Sequence, residues 1–555
     1  MRKHRTSGIR LTVSLSILIL LAAAGSLCAR VTTPQEAHLV VAGWLSGNVE
    51  PFGMPLGRDI VDVETFTGVA GEPIYYIVRL SRAGSVIVSA DDLVEPILGF
   101  GEGQEYEPSA DDPLTALVTS DVTGRMAEAY SQPTGQLQTQ SVTTAQAKWH
   151  DLIDRASRPG SELGIAGVQT ISDVRVPPLL KTHWAQGSVC ADYCYNYYTP
   201  NHYLAGCVAT AMAQVIYYHR HPATGVGRRS FLFSITGDNQ TAYTRGGDGA
   251  GGPYRWDDMA LSPGCSTTET QRQAIGALCY DAGLAVRMEY GPKVSLADAF
   301  SVAPKLSSVF RFSNAVNGAS NGKNLGTSLM TMINPNLDAE YPVILTITGS
   351  GGHAVVADGY GYDLSASTRT LYHHLNMGWG GSGDIWYNLP HVDKYDTVAA
   401  CAYNLFPEGE GEIVSGRVTD ASGRPVAGAA VRATSPTGVY EATTNARGIY
   451  ALAKLPSAST FAIEVHKAGL SFPRQTVATG TSLDWKTSAG NKWGVDFGGA
   501  SIVDSDPEAR VDFTDFVLLA RGPWDYFDLA AFAAVWLTDV DAASIAPVEL
   551  PVLEN

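Results

Sequence analysis

Basic side chains are scarce in this 555-residue chain: 38 Lys and Arg stand against 55 Asp and Glu, a formal net charge of −17. A surface of that sign repels phosphate, which argues against nucleic acid or an anionic membrane as partner. Cysteine is scarce as well, with seven in the whole chain, and the paired spacings of a structural zinc site are missing. Past the first 30 residues or so, no apolar run reaches the roughly 18 residues that a membrane span needs. Apolar residues themselves are plentiful, since 45% hydrophobic with 17% charged is the composition of globular protein. The length exceeds what one core organises, so three or four domains are expected.

The N-terminus carries an address. Four basic side chains and His4 occupy residues 1–10, an apolar run fills 11–24, and small residues follow around Ser26-Leu27-Cys28-Ala29. That order is a secretory signal over residues 1–29, so the mature protein is expected to be exported, secreted or held at the cell surface, with no span left after its removal. Cys28 leaves with the signal. Cys190, Cys194, Cys207, Cys265, Cys279 and Cys401 remain. If one must stay a free thiol, at least one more is unpaired. Cys190–Cys194 and Cys265–Cys279 are candidate bridges in an oxidising compartment, and the sequence leaves the pairing open.

The rest divides by composition. Residues 30–131 form a first compact unit with strands at 73–80 and 84–89. Residues 132–174 are read as a linker and maturation region, because 132–146 is Gln/Thr/Ser-rich with Pro133 and Gly135. A larger unit spans 175–406, with helices beginning at Cys207 and over 269–285, and strands around 343–348, 353–360, 370–375 and 384–389. Acidic Pro407-Glu408-Gly409-Glu410-Gly411-Glu412 marks its end. Short alternating strands with Gly/Pro turns over 413–498 predict a small β-sandwich. Residues 502–540 return to helical periodicity, with aspartates just before each apolar run.

Two segments permit chemistry. Val208, Ala211, Met212, Val215 and Ile216 share one face of a helix that Cys207 opens. A helix N-terminus stabilises a thiolate, the only form of a thiol that attacks. His353, in Gly351-Gly352-His353-Ala354, lies 146 residues downstream, within the roughly 130–150 residues between nucleophile and histidine in papain-like peptidases. Asn376, in His374-Leu375-Asn376-Met377-Gly378-Trp379-Gly380-Gly381, offers an amide oxygen to orient the imidazole, and Trp379 would shield that bond from water. Each of these residues also has a structural reading: a buried cysteine, a satisfied core histidine, a tight glycine turn.

With these motifs in hand, the chain resembles the streptopain family of secreted bacterial cysteine peptidases. The likeness rests on Gly206-Cys207-Val208-Ala209-Thr210-Ala211, Tyr254-Arg255-Trp256-Asp257, Asp281-Ala282-Gly283-Leu284, Met288-Glu289-Tyr290-Gly291-Pro292, Gly351-Gly352-His353-Ala354 and Gly378-Trp379-Gly380-Gly381. Upstream, Gly84-Ser85-Val86-Ile87-Val88-Ser89-Ala90-Asp91-Asp92 and Pro96-Ile97-Leu98-Gly99 are similar to the family's inhibitory prosegment. The resemblance implies a multidomain zymogen with an α+β prosegment over 30–131 and an α+β papain-like peptidase domain over 175–406. It implies polypeptide substrates, a Cys207 thioester, His353 as general acid and base, and no cofactor for catalysis. By resemblance alone, Gln186 in Trp184-Ala185-Gln186-Gly187 would serve the oxyanion hole. Met377 departs from the pattern, standing where the family has tryptophan.

Two further resemblances follow. Gly416, Val418, Asp420, Gly423, Pro425, Val426, Gly428, Gly448, Tyr450 and Leu452 make 413–498 similar to the carboxypeptidase regulatory-like domain, an all-β module without catalytic residues. Asp504, Asp506, Glu508, Asp512 and Asp515 fall at positions 1, 3, 5, 9 and 12 of a calcium loop, although Ala509 replaces the turn glycine. The helical tail at 502–540 thus resembles a degenerate dockerin, implying calcium and a cohesin-like or cell-surface protein partner. Two helices capped by aspartates are its plainer reading.

Two decoys are set aside. Gly318-Ala319-Ser320-Asn321-Gly322 matches a serine-hydrolase elbow, but 314–324 reads as a flexible loop and not as the strained strand-to-helix turn which that chemistry needs. Gly246-Gly247-Asp248-Gly249-Ala250-Gly251-Gly252 lacks the Lys-Ser/Thr of a phosphate cradle. The leading expectation is a secreted cysteine endopeptidase made as a precursor. The alternative is a catalytically silent papain-like protein that binds at a surface.

Overall fold

The computed structural model describes residues 30–47, 50–81, 84–102, 112–131, 140–157, 172–319, 325, 328–347, 352–366, 368–389 and 398–501. Residues 1–29, read as an export signal, and the stretch read as dockerin-like, with Asp504, Asp506, Glu508, Asp512 and Asp515, lie outside those residues.

Alternating apolar side chains build an antiparallel meander from β1 (Ile60–Thr67), β2 (Pro73–Leu80), β3 (Ser85–Ser89) and β4 (Ile97–Gly101). On β2, Tyr75 and Ile77 enter one core while Tyr76 and Val78 enter another, so the strand is covered on both faces. The Pro113–Ser131 helix covers the first face through Leu114, Leu117, Val118 and Val122. The Pro34–Gly47 and Gln140–Ser157 helices cover the second through Val40, Val41, Trp44, Trp149 and Leu152. A Cβ on Gly43 would lie 1.9 Å from the Leu152 carbonyl oxygen, so only glycine lets these two helices approach so closely. The stretch read as a polar linker therefore holds a helix from residue 140 onward. Its polar first turn masked the apolar spacing Ala145, Trp149, Leu152, all buried.

The second unit runs β5 (Ser172–Val176), the Cys207–His219 helix, β6 (Ser230–Ile235), β7 (Asp238–Tyr243), the Glu269–Ala285 helix, β8 (Glu289–Tyr290), the Val302–Ser308 helix and β9 (Asn314–Ala319). It continues with the Leu329–Asp338 helix, β10 (Val343–Ile347), β11 (His353–Asp363), β12 (Thr370–Asn376), β13 (Ile385–Tyr387) and β14 (Val398–Phe406). Residues 314–319, expected in a loop, are β9, with Gly318 opposite Cys401.

The two units share one 11-stranded sheet, ordered β1-β2-β3-β4-β13-β12-β11-β10-β14-β9, with β5 pairing β11. The junction is β4 against β13, where Phe100 faces Trp386 and Gly99 faces Tyr387. Trp386 and Tyr372 complete the core of the upstream unit, with ring centroids 4.6 Å for Phe52–Trp386 and 5.1 Å for Phe100–Tyr372. Burying each such ring stabilises by roughly 2–3 kcal/mol. Arg125 adds a polar clasp, donating to Asp121 at 2.8 Å and to Asn388 Oδ1 at 2.7 Å.

Downstream, β15 (Glu412–Thr419), β16 (Ala430–Ser435), β17 (Gly438–Thr443), β18 (Ile449–Leu455), β19 (Thr460–His466), β20 (Leu470–Ser471), β21 (Gln475–Ala478), β22 (Phe497–Gly498) and β23 (Ala500–Ser501) make the β-rich module. Its sheets β18-β15-β22 and β17-β16-β19-β21 enclose Val414, Val418, Val431, Leu452, Phe461 and Ile463. The module is docked by buried polar contacts. Asp338 accepts from Tyr360 and from Ser415, each at 2.7 Å, and burial pushes its carboxyl up to about 7. Arg417 reaches Asp173 at 2.8 Å.

Neither candidate bridge is formed, and the pairing that the sequence left open is a different one. Cys190 bridges Cys265, while Cys194 and Cys279 are free and buried in the core. Cys279 sits on the inner face of the Glu269–Ala285 helix, whereas Cys265 lies in the chain before it.

Candidate active site

The Cys207–His219 helix forms because apolar residues recur at helical spacing: Val208, Ala211, Met212, Val215 and Ile216 are all buried in one core. Cys207 is its first residue, and no side chain among the described residues caps it. The first-turn N–H groups and their partial positive charge are therefore left to the thiol. Gly206 precedes it at φ 89°, where a Cβ would lie 2.6 Å from the Met288 methyl carbon. Only glycine fits that turn.

His353 opens β11, opposite Ile347 of β10. Ala354 and Val356 pack into the same core as the helix, so the start of the strand is held beside the start of the helix, where the imidazole and thiol lie. The His353 ring and the backbone at Ala354 and Val208 are the groups that act on the Cys207 sulfur. Burial pushes the thiol up, but these contacts outweigh it and hold Cys207 below the ordinary thiol range. Burial likewise pushes His353 down, and the sulfur together with the Met377 carbonyl outweighs that, so the imidazole is raised. Both shifts favour a thiolate–imidazolium pair. His353 Nε2 lies 3.0 Å from the Met377 carbonyl oxygen. A carbonyl only accepts, so Nε2 carries its proton and Nδ1 is left to face the sulfur.

Asn376 does not make the contact expected of it. Its Oδ1 accepts from Gln214 Nε2 at 2.9 Å and from the Gly378 N–H at 3.1 Å, and its Nδ2 donates to the Thr182 carbonyl at 3.0 Å. Thr182 Oγ1 closes the ring by donating to Gln214 Oε1 at 2.8 Å. The amide is thus committed to a buried junction between the Cys207 helix, β12 and the segment before Trp184, and the backbone of the next residue meets the imidazole instead. Trp379 stands edge-on to His353, centroids 6.1 Å apart at 87°, and is 39% exposed. Gln186 is brought close through its backbone. Its carbonyl accepts from Ala205 N–H at 2.8 Å, and the Trp184 carbonyl accepts from Gly380 N–H at 2.9 Å.

Sequence reasoning missed Gln214, Thr182 and the Met377 carbonyl. Gln214 had a signal, being a polar residue on the apolar face of the helix, fully buried. A backbone carbonyl has none. The remaining free thiols are unlike Cys207: burial pushes Cys194 up to about 12 and raises Cys279 and Cys401 further. Among the described residues no cluster of three or more His, Cys, Asp or Glu could hold a metal, and no helix is long and apolar enough to cross a membrane.

A lowered thiol at a helix N-terminus, beside a raised imidazole whose far nitrogen is fixed by a carbonyl, is the arrangement of the cysteine-peptidase class. Comparison with known proteins agrees and makes the class more specific: residues 184–387 match the Peptidase C10 family, and that region contains Cys207, His353, Asn376, Gln186 and Trp379. Residues 29–122 match a family described as Spi protease inhibitor, and 413–485 match the carboxypeptidase regulatory-like domain. Streptopain from Streptococcus pyogenes serotype M1 is 25% identical over 339 residues, covering 57% of this chain and 73% of the relative. The thiol protease/hemagglutinin PrtT of Porphyromonas gingivalis is 25% identical over 341 residues, covering 59% of this chain and 35% of the relative. Among solved structures, a prointerpain A fragment from Prevotella intermedia matches at 21% identity and TM-score 0.45, covering 63% of this chain and 99% of that one. Active interpain A from the same organism matches at 26% identity and TM-score 0.33, covering 41% and 94%.

Proposed function

We propose that this chain is an exported cysteine endopeptidase of papain-like type, made as a zymogen. The observation that carries the reading is the Cys207–His353 pair, with the thiol at a helix N-terminus and lowered. Cys207 attacks the scissile carbonyl, and its own N–H with the Gln186 amide would hold the oxyanion. His353 then protonates the leaving amine, a thioester remains on Cys207, and water activated by His353 releases the acyl product. No metal or cofactor enters these steps. Trp379, edge-on to the imidazole, keeps water from the His353–Met377 bond.

Inhibition by residues 30–131 is supported by their strand pairing into the peptidase sheet and by the inhibitor-family match. Export rests on the leader sequence. Calcium at Asp504, Asp506, Glu508, Asp512 and Asp515, and docking to a cohesin-like or cell-surface protein, rest on sequence spacing alone. A pull-down with residues 500–555 fused to a carrier, with and without calcium, tests that part. For the peptidase, a peptidyl electrophile specific for cysteine peptidases is expected to modify Cys207 alone and to abolish hydrolysis of a denatured protein substrate. Hydrolysis that persists after full modification of Cys207 would refute it, and absence of both labelling and hydrolysis in the form freed of the residues upstream of the peptidase region would favour a silent binding protein.

A further inference from the structure

We propose that Asp384 is a positioning residue for His353, acting through the Met377 peptide, a role that rests on the peptidase reading above. Asp384 immediately precedes β13, and its side chain is 10% exposed. Its Oδ1 accepts from the Met377 N–H at 2.8 Å. The Met377 carbonyl in turn holds His353 Nε2 at 3.0 Å. On the other side, the Gly378 N–H is held by Asn376 Oδ1 at 3.1 Å.

The two peptide N–H groups flanking Met377 are thus tied to two different side chains, and that fixes where the carbonyl between them points. The bracing is needed because Gly378 sits at φ 70°, and glycine lets a peptide rotate at little cost. The Met377 carbonyl shares a rigid peptide plane with the Gly378 N–H, which Asn376 holds, while the Met377 N–H belongs to the plane before it. Releasing that N–H leaves the carbonyl plane braced from one side only, so it swings about the Met377 dihedrals and its hydrogen bond to the imidazolium weakens. Asp384 Oδ2 faces His183 Nδ1 at 3.5 Å and has no hydrogen-bond partner among the described residues. The half-exposed His183 ring faces the carboxylate from the solvent side. The other charges near the pair are the buried His374–Asp358 contact at 2.6 Å and, facing His353, Asp112, which caps the Pro113–Ser131 helix by accepting from Thr115 N–H at 2.7 Å.

The test uses the full chain and reads Cys207 directly. The rate of Cys207 modification by iodoacetamide is followed by peptide mass mapping from pH 4 to 9, with thermal unfolding measured in parallel. The unaltered protein should show a low-pH plateau from the ion-paired thiolate. Asp384→Ala is expected to lower that plateau about tenfold or more, since a hydrogen bond to a charged group is lost. Asp384→Asn keeps an accepting oxygen and should stay within about twofold of the original. Should Asp384→Ala not fold, Asp384→Glu sets the oxygen one methylene too far and is expected to lose the plateau as well. An unchanged plateau in a folded Asp384→Ala or Asp384→Glu protein would overturn the proposal, as would equal loss in Asp384→Asn. If the unaltered protein itself shows no plateau, the thiolate–imidazolium reading fails instead.

Discussion

Replacing Asn376 by alanine separates two accounts of that residue. If the amide simply oriented the imidazole, the substitution would slow the chemistry and leave the fold alone. The structure gives it different work. Three buried groups depend on it: Gln214 Nε2, the Thr182 carbonyl and the Gly378 N–H, at 2.9, 3.0 and 3.1 Å. Leaving a buried polar group unpaired costs about 1–3 kcal/mol. The three are not additive, because Gln214 keeps Thr182 Oγ1 and water can enter the space left behind. A loss of about 3 kcal/mol or more is expected for Asn376→Ala, together with weaker Cys207 reactivity because Gly378 is released. Urea unfolding of the full chain measures the first, and iodoacetamide modification at low pH measures the second. A double-mutant cycle with Gln214→Leu should give less than the sum of the single losses, since one junction is broken twice. Stability within about 0.5 kcal/mol of the original, with reactivity lost, would refute the bracing account and restore the direct contact.

Other perturbations follow the same logic. Asp338 has its folded-state value raised to about 7 from an ordinary 3.8, so the native state binds the extra proton between those values. Its contribution is full below about 3.8 and is lost as pH rises through about 7, and Asp338→Asn should remove a fall in stability of a few kcal/mol across that window. Parallel pH–stability curves for the two proteins would contradict this. Cys190→Ser opens a loop with a sequence separation of 75 residues and should cost about 2–5 kcal/mol by thermal or urea unfolding; no change would mean the bridge does not form in solution. Arg125→Ala takes the ion pair from the buried Asp121 carboxylate, which keeps the Tyr387 hydroxyl at 2.6 Å, and the donor from Asn388 Oδ1, a loss of roughly 3 kcal/mol at the junction with the upstream unit. Proteolytic release of the prosegment should then quicken several-fold, and an unchanged rate would argue that the aromatic cluster alone holds it.

What could be read from the sequence was whatever depended on periodicity and local spacing. The Cys207 helix, the Glu269–Ala285 helix and the strands that carry His353 and Asn376 stand where the apolar pattern put them, because burial of one face writes that pattern into the residues. The thiol–imidazole pair was legible for the same reason, as two chemically rare residues each at the start of a regular element. The strands of the upstream unit were legible too, but their joining to β13 was not, since edge-to-edge pairing of distant strands leaves no periodic trace. The helix at 140–157 was hidden by a polar first turn. The disulfide pairing stayed open because proximity in sequence is a poor guide to which sulfur faces which, and Cys279 turns inward with its helix. Asn376 shows the sharpest limit. Residue type suggested an orienting amide, yet the contact goes through the Met377 carbonyl, a group that every residue has and no sequence marks.

The most direct measurement of the central claim is the size of the purified full-length chain over time in a reductant strong enough to keep Cys207 reduced. Self-processing should convert it to a shorter form that has lost the residues upstream of the peptidase region, and Cys207→Ala should remain intact under the same conditions. Processing of Cys207→Ala at the rate of the unaltered chain would contradict the account, because the thiol at the head of that helix would then not be the nucleophile.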